Sequence, residues 1–480
     1  MQKISRRNFV QTGAIAAAGT ITGGATMAAV ETPMYISQRP PFSKRNFTSD
    51  AVEKTIQSVK SKIQNPKLAW MFENCYPNTL DTTVTYQLKN GIPDTFVITG
   101  DIDAMWLRDS SAQVWPYLPL IREDEKLKLM VAGLINRQTD CILIDPFANA
   151  FYKGPGKSEW QSDLTDMKPE LHERKWEIDS ICYPVRLAWH YWKNSGDATV
   201  FTEKWRQAAQ TIIKTFKDQQ KRHGKGSYSF MRKTEKASDT QFGNGYGLPV
   251  KPVGLICSSF RPSDDATFYQ FLIPSNYFAV VSLNQIAEIA SKVLKDEPLS
   301  AEAKALSAEV ASALKKYAVG NHPTAGKIIP FEVDGYGNNL FMDDTNIPSL
   351  LALPYLDALP ATDPLYLNTR KFVLSEDNPW FFRGKRYEGN GGPHVNGGYD
   401  YIWPMSIIMR AMTSSDEAEI RKCLQWLIET DAGTGFMHEA FLKDDPDTFT
   451  RTWFAWANTL FGELVIKLYH ERPKLLESFT

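Results

Sequence analysis

Two acidic segments of this chain have residue types and surroundings suited to acid–base chemistry. In SSFRPSDDATFYQFLIPSN, Asp264 and Asp265 stand side by side among aromatic residues. In GTGFMHEAFLKDDPDTFTRTWFAWANTLFGELV, Glu439 follows a glycine-rich turn and lies between Met437 and Phe441. Apolar neighbours shift carboxyl pKa values. Glycoside hydrolysis needs such a pair, one carboxylic acid to protonate the leaving oxygen and one carboxylate facing the anomeric carbon. Pro262-Ser263-Asp264-Asp265 reads as a helix entrance, where Asp264 takes the cap and Asp265 faces a cleft. A third segment, GDIDAMWLRDSSAQ, sets Asp101, Asp103, Arg108 and Asp109 beside Met105, Trp106 and Leu107, an unusual company for four charges.

Other chemistries lack their signatures. The chain has no GxxxxGK[ST], no HExxH and no GxSxG, and GNGYG at Gly243 reads as a turn. The pairs Asp264-Asp265, Asp343-Asp344 and Asp444-Asp445 do not have EF-hand spacing. Cys75, Cys141, Cys182, Cys257 and Cys423 are scattered without a CxxC, so they read as buried small hydrophobes and not as disulfides or zinc ligands. No metal or cofactor is expected. Lys and Arg number 54 against 55 Asp and Glu, a balance that argues against nucleic acid or an anionic membrane as main partner. Aromatics make up 12% of the chain, with 13 Trp and 19 Tyr, a composition compatible with a sugar-binding cleft.

The elements that must position these residues are mostly helices. Val52, Ile56, Val59 and Ile63 step by four, three and four, and similar stripes run through LKLMVAGLINRQ, VFTEKWRQAAQTIIKTFK, FAVVSLNQIAEIASKVL and EAEIRKCLQWLIET. TFVITG and KIIPFEV are the better strand candidates. Long Gly-, Pro- and Asp-rich connections such as GKRYEGNGGPHVNGGYD read as functional loops on a helical scaffold. Residues 31–480 read as a single helical domain. Residues 1–30, with Arg6-Arg7 before a short Ala- and Gly-rich run, read as a twin-arginine-type export signal cleaved near Ala28. The expected location is the bacterial periplasm, without a permanent membrane helix.

DIDAMWLRDSSAQ, WEIDSICYPVRLAWHYW, FRPSDDATFYQFLIPSNYFAV, MDDTNIPSLLALPYL and the Glu439 segment occur in that order over roughly residues 70–470. Together they resemble the signature segments of glycoside hydrolase family 125. The resemblance implies a mainly α (α/α)6 barrel with its cleft built by loops at one end. It also implies an inverting, metal-independent exo-α-1,6-mannosidase acting on N-glycan-like or mannan-derived oligosaccharides. The family's acid is similar to an aspartate of the RPSDDA segment and its base to the glutamate of HE[AS]F, which carries over to Asp265 and Glu439. Asp264 is the alternative acid, and Glu388 the rival base. Inversion places such carboxyl groups roughly 6.5–9.5 Å apart.

Arg108 and Asp109 are the leading candidates for holding a terminal mannose, since an Arg fork grips two oxygens. Asp101, Trp106, Asp179, Arg261, Asp264, Glu388, His394 and His438 are further sugar-contact candidates. Trp106, Trp380 and Trp453 are candidate stacking platforms. Two other functions stay open: a glycosidase of different linkage specificity, and a catalytically silent glycan-binding protein.

Overall fold

Ser49 starts the first helix, α1 (Asp50–Lys60), by accepting a hydrogen bond from the Val52 amide. Val52, Ile56 and Val59 lie buried along one of its faces, as the stepping of the sequence predicts. The computed structural model describes residues 35–395 and 398–480, so the export-signal expectation falls outside the described residues. The chain divides into two units. Of the first, Met1–Ile36, only Tyr35 and Ile36 are described. The second, Ser37–Thr480, holds every element below.

It is mainly helical. The labelled helices are α2 (Pro66–Cys75), α3 (Leu107–Val114), α4 (Glu125–Ile144), α5 (Ile178–Ser195), α6 (Glu203–Gln219), α7 (Ile273–Ile289), α8 (Glu297–Tyr317), α9 (Pro404–Met412), α10 (Glu417–Glu429) and α11 (Ala455–Glu471). An inner row runs through the contacts α9–α11–α3–α5–α7. Outside it, α10 packs on α9, α2 on α11, α4 on α5 and α8 on α7. Between α7 and α9 the inner position is taken by turns at residues 351–357. Tyr183 Oη donates to the Ile347 carbonyl (3.1 Å) and Arg186 Nη2 to the Tyr355 carbonyl (3.1 Å), tying this segment to α5.

The composition of the row follows from its burial. Every residue of α7 except five is buried, and its Pro274 sits at the first turn, where no amide is needed. Burial of each large apolar side chain contributes about 1.5–3 kcal/mol. Helix α3 is buried over its whole length despite the sequence LRDSSAQV. Its polar side chains are met from within: Gln138 Nε2 donates to Ser110 Oγ (2.9 Å) and Ser111 Oγ (2.8 Å), and Gln113 Nε2 to the Ile98 carbonyl (3.0 Å). Buried polar groups paired in this way avoid the cost of desolvation.

Three small antiparallel sheets lead into the N-termini of inner helices. The first is β1 (Met105–Trp106), β2 (Ala150–Phe151) and β3 (Leu171–Glu173), with Trp106 opposite Ala150 and Ala150 opposite Glu173. The second is β4 (Phe271–Leu272), β5 (Glu332–Val333) and β6 (Asn339–Leu340), with Leu272 opposite Glu332. The third is β7 (Tyr401–Ile402), β8 (Ala440–Leu442) and β9 (Asp445–Thr450), with Ile402 opposite Phe441. TFVITG begins inside a strand, Ile92–Val97, paired with Val84–Lys89, while KIIPFEV splits between Gly326–Ile328 and β5. The residues immediately before α3, α5 and α9 are thereby fixed at one end of the inner row.

Candidate active site

A cavity of about 330 Å³ opens at that end and is lined by Trp106, Arg108, Asp109, Lys175, Asp264, His394, Trp403, Glu439 and Arg451, among others. Asp264 and Glu439, nominated from two distant segments, share it. A larger hollow of about 1210 Å³ lies at the opposite, C-terminal ends of these helices. Arginines there serve helix ends: Arg370 Nη2 donates to the Arg410 carbonyl (3.1 Å) and Arg186 stacks 3.4 Å from the Trp115 ring. None of the nominated carboxylates lines it.

Arg108, from the first turn of α3, is 2% exposed and faces four carboxyl groups. Nη1 donates to Glu177 Oε2 (2.5 Å) and Asp179 Oδ2 (3.1 Å); Nη2 stands 3.6 Å from Asp264 Oδ1 and Nε 3.5 Å from Asp109 Oδ2. Burial pushes the Asp109 carboxyl up to about 6, against the pull of Arg108. Burial likewise raises Asp179 to about 6, again opposed by Arg108. Arg108 Nε and Asp109 Oδ2 make no hydrogen bond and face each other as a buried ion pair.

The RPSDD segment differs from its sequence reading. It is a turn, not a helix entrance: α7 begins only at Ile273, and Asp264 has φ +63°, whereas an N-cap takes extended angles. Left-handed backbone at Asp264 turns its side chain to the cleft and that of Asp265 away. The Asp264 side chain is 22% exposed and accepts from Asn149 Nδ2 (3.2 Å), and the Asp264 carbonyl accepts from Lys175 Nζ (2.8 Å). Asp265 is fully buried behind the lining, with Lys236 Nζ 3.5 Å from Oδ1 and no hydrogen bond to either oxygen. The expectation that Asp265 faces the cleft is therefore corrected to Asp264.

Glu439 sits just before β8, its amide paired with the Thr450 carbonyl (3.3 Å). Thr450 Oγ1 donates to Oε2 (2.9 Å), and Arg451 Nη1 lies 3.7 Å from Oε1. Arg451 is itself held by Asp101, through Nε to Oδ1 (2.9 Å) and Oδ2 (3.2 Å) and through Nη2. Asp101 thus acts on the site through Arg451. Around the opening, Trp106 Nε1, Asn346 Nδ2, His394 Nδ1 and Trp403 Nε1 are buried donors or acceptors without protein partners, and all four residues line the cavity. Such groups fit hydroxyl-rich ligands.

Several nominated residues stand elsewhere. Glu388 lies on a hairpin strand and is held by Arg410 (3.0 Å), Arg383 (3.1 Å) and Lys422 (3.6 Å), outside the cavity lining, so it is not the rival base. Arg261 Nε is committed to Glu332 Oε1 (2.6 Å), and Asp179 to Arg108; neither lines the cavity. His438 stacks on Phe449 at 3.7 Å, with ring nitrogens near the Asp431 and Arg451 carbonyls, and supports the Glu439 loop. Trp380 packs against Phe382 and Tyr399, and Trp453 lines a separate hollow with Phe436. Sequence reasoning missed Glu177, Trp403, Trp456, Asn346 and Arg451. Only Glu177 had a signal, an acid inside WEIDS at the start of an inner helix.

Among the described residues, no group of three or more His, Cys, Asp or Glu side chains is placed to hold a metal ion, and no helix is long and apolar enough to cross a membrane. All five cysteines are buried and unbridged.

Residues 65–466 match the profile of the metal-independent alpha-mannosidases, glycoside hydrolase family 125. The meiotically up-regulated gene 157 protein of Schizosaccharomyces pombe is 39% identical over 459 residues, which cover 92% of this chain and 90% of that protein. A metal-independent α-mannosidase from Streptococcus pneumoniae, solved in a non-productive complex with α-1,6-mannobiose, is 40% identical and superposes with a TM-score of 0.85. It covers 89% of this chain and 100% of its own.

Proposed function

Because this chain belongs to glycoside hydrolase family 125, the metal-independent α-mannosidases, we propose that it is an exo-acting, inverting α-1,6-mannosidase built on a closed (α/α)6 barrel. The observation that carries this is the meeting of Asp264 and Glu439 in one cavity also lined by the buried Arg108–Asp109 pair. A cavity of about 330 Å³ lined by buried charged groups favours a terminal sugar over a chain running through it. The α-1,6 linkage is taken from the mannobiose bound by the Streptococcus pneumoniae relative.

In the proposed reaction Asp264 protonates the glycosidic oxygen as its bond to the anomeric carbon breaks. Glu439, oriented by Thr450 and Arg451, takes a proton from a water that attacks the opposite face. Arg108 and Asp109 hold hydroxyls of the terminal mannose, and Trp106, Asn346, His394 and Trp403 complete the polar lining. Release of mannose from α-1,6-mannobiose, with α-1,2- and α-1,3-mannobiose left intact, is the expected result. Binding without release would favour the silent glycan-binding reading, and release from the other linkages a different specificity. In the same comparison Asp264→Asn is inactive; an inactive Asp265→Asn beside a wild-type-like Asp264→Asn would return the acid to Asp265. The leader at residues 1–30 is proposed to direct export, tested by Arg6→Lys with Arg7→Lys, which should retain the protein inside the cell.

A further inference from the structure

We propose that Asp344 is a positioning residue for the acid, pinning the turn that carries Asp264 to two other loops of the cleft. The proposal rests on the reading of Asp264 as the acid.

Asp343 and Asp344 form an acidic pair inside MDDTNIPSLLALPYL, and neither lines the cavity. Both are fully buried. Asp343 builds the base of the segment. Its Oδ1 accepts from the Thr345 amide (3.0 Å) and its Oδ2 from the Leu351 amide (3.0 Å), while its own amide donates to Asn378 Oδ1 (3.1 Å). Asp344 reaches outward from that base. Its Oδ2 accepts from Ser263 Oγ (2.9 Å) and its Oδ1 from the Asn346 amide (3.3 Å). A Cβ placed on Gly392 would lie 3.0 Å from Asp344 Cβ, so the backbone leading to His394 also packs directly against it. Ser263, Asn346 and His394 all line the cavity. One buried carboxylate therefore joins three segments of that lining.

The acid turn needs such a tie. Its base is closed on itself: the Arg261 carbonyl accepts from the Asp264 amide (2.9 Å), and the Arg261 amide donates to the Asp265 carbonyl (2.8 Å). Its tip holds Asp264 at φ +63°, a left-handed conformation that is unfavourable for a residue with a side chain and persists where surrounding contacts over-determine it. Two of those contacts reach Asp264 itself, from Asn149 Nδ2 to Oδ1 (3.2 Å) and from Lys175 Nζ to the carbonyl (2.8 Å). Through Ser263, Asp344 adds a third from a different segment. Without it the tip relaxes, and the carboxyl that must meet the glycosidic oxygen moves with it. A shift of about 1 Å is enough to impair proton transfer to the leaving group.

Ser263→Ala removes only the hydroxyl that Asp344 holds. On α-1,6-mannobiose its kcat should fall by about tenfold or more, with KM changed by less than about threefold. On α-mannosyl fluoride, whose leaving group needs no such acid, it should stay within about threefold of wild type. Asp344→Ala should lower the ratio of mannobiose to fluoride turnover at least as far. Adding Ser263→Ala to it should change that ratio by less than about twofold, because both substitutions break the same bond. Asp344→Asn should recover most of the ratio lost in Asp344→Ala, since its oxygen can accept from the Asn346 amide and its amide can donate to Ser263 Oγ. Equal losses on both substrates, no loss on either, additive effects of the pair, or an Asn variant no better than Ala each overturn the proposal. Should Asp344→Ala fail to fold, the ratio in Ser263→Ala decides alone. Asp264→Asn separates the underlying reading: wild-type-like mannobiose turnover in that variant refutes Asp264 as the acid. A loss confined to mannobiose there, beside an unchanged ratio in Ser263→Ala, refutes Asp344 alone.

Discussion

Asp109→Asn should make the protein more stable above neutral pH and poorer as an enzyme. Asp109 is 5% exposed, and burial raises its carboxyl from an ordinary 3.8 to about 6. A raised carboxyl pKa costs nothing below the unfolded value, where both states are protonated. Its cost develops between about pH 4 and 6 and is complete above that. A shift of about two units corresponds to at most about 3 kcal/mol. For a unit of this size that is about 3 °C in melting temperature. Arg108 still has Glu177, Asp179 and Asp264 as partners after the substitution, so no buried cation is orphaned. Melting curves of the two proteins should coincide near pH 4 and separate by that amount at pH 8, the variant melting higher. Loss of a charged hydrogen bond to a sugar hydroxyl, worth about 1.5–3 kcal/mol, should lower kcat/KM by roughly 10- to 150-fold. An equal difference in melting temperature at pH 4 and pH 8, or a less stable variant at pH 8, would refute the electrostatic reasoning.

Glu388→Ala should leave kcat and KM within about twofold, since this carboxylate is held by Arg410, Arg383 and Lys422 away from the cavity; steady-state kinetics on α-1,6-mannobiose check it. Asp101→Asn should reduce kcat about tenfold with a smaller change in KM, because Arg451 loses the partner that holds it beside Glu439; an unchanged kcat would remove Asp101 from the account. Gly391→Ala should raise KM about tenfold and lower the melting temperature, since the new methyl would meet the Tyr401 carbonyl oxygen at 2.0 Å and displace the backbone leading to His394. Inhibitor titration and thermal unfolding of that variant read the two effects separately.

The amphipathic helices were legible because their burial is one-sided, as Val52, Ile56 and Val59 illustrate. Helix α3 was not, since a helix buried all round has no polar face to set the period. Charges among apolar residues in MWLRDS did point to a site, and Arg108 and Asp109 line it. Which of Asp264 and Asp265 faces the cleft was hidden in a single backbone angle, because aspartate tolerates left-handed φ without a sequence mark. Glu177 was hidden for another reason. An acid before a helix reads as a terminal charge, and only the fold brings it against Arg108. Trp403 and Arg451 come from loops whose approach depends on the pairing of β7 with β8 and β8 with β9.

The central claim, that Asp264 and Glu439 act on opposite faces of the terminal mannose, is tested most directly by proton NMR of α-1,6-mannobiose hydrolysis followed from its start. The account predicts β-mannose as the first-formed product, with the α anomer growing in only by mutarotation. Initial appearance of α-mannose would contradict it.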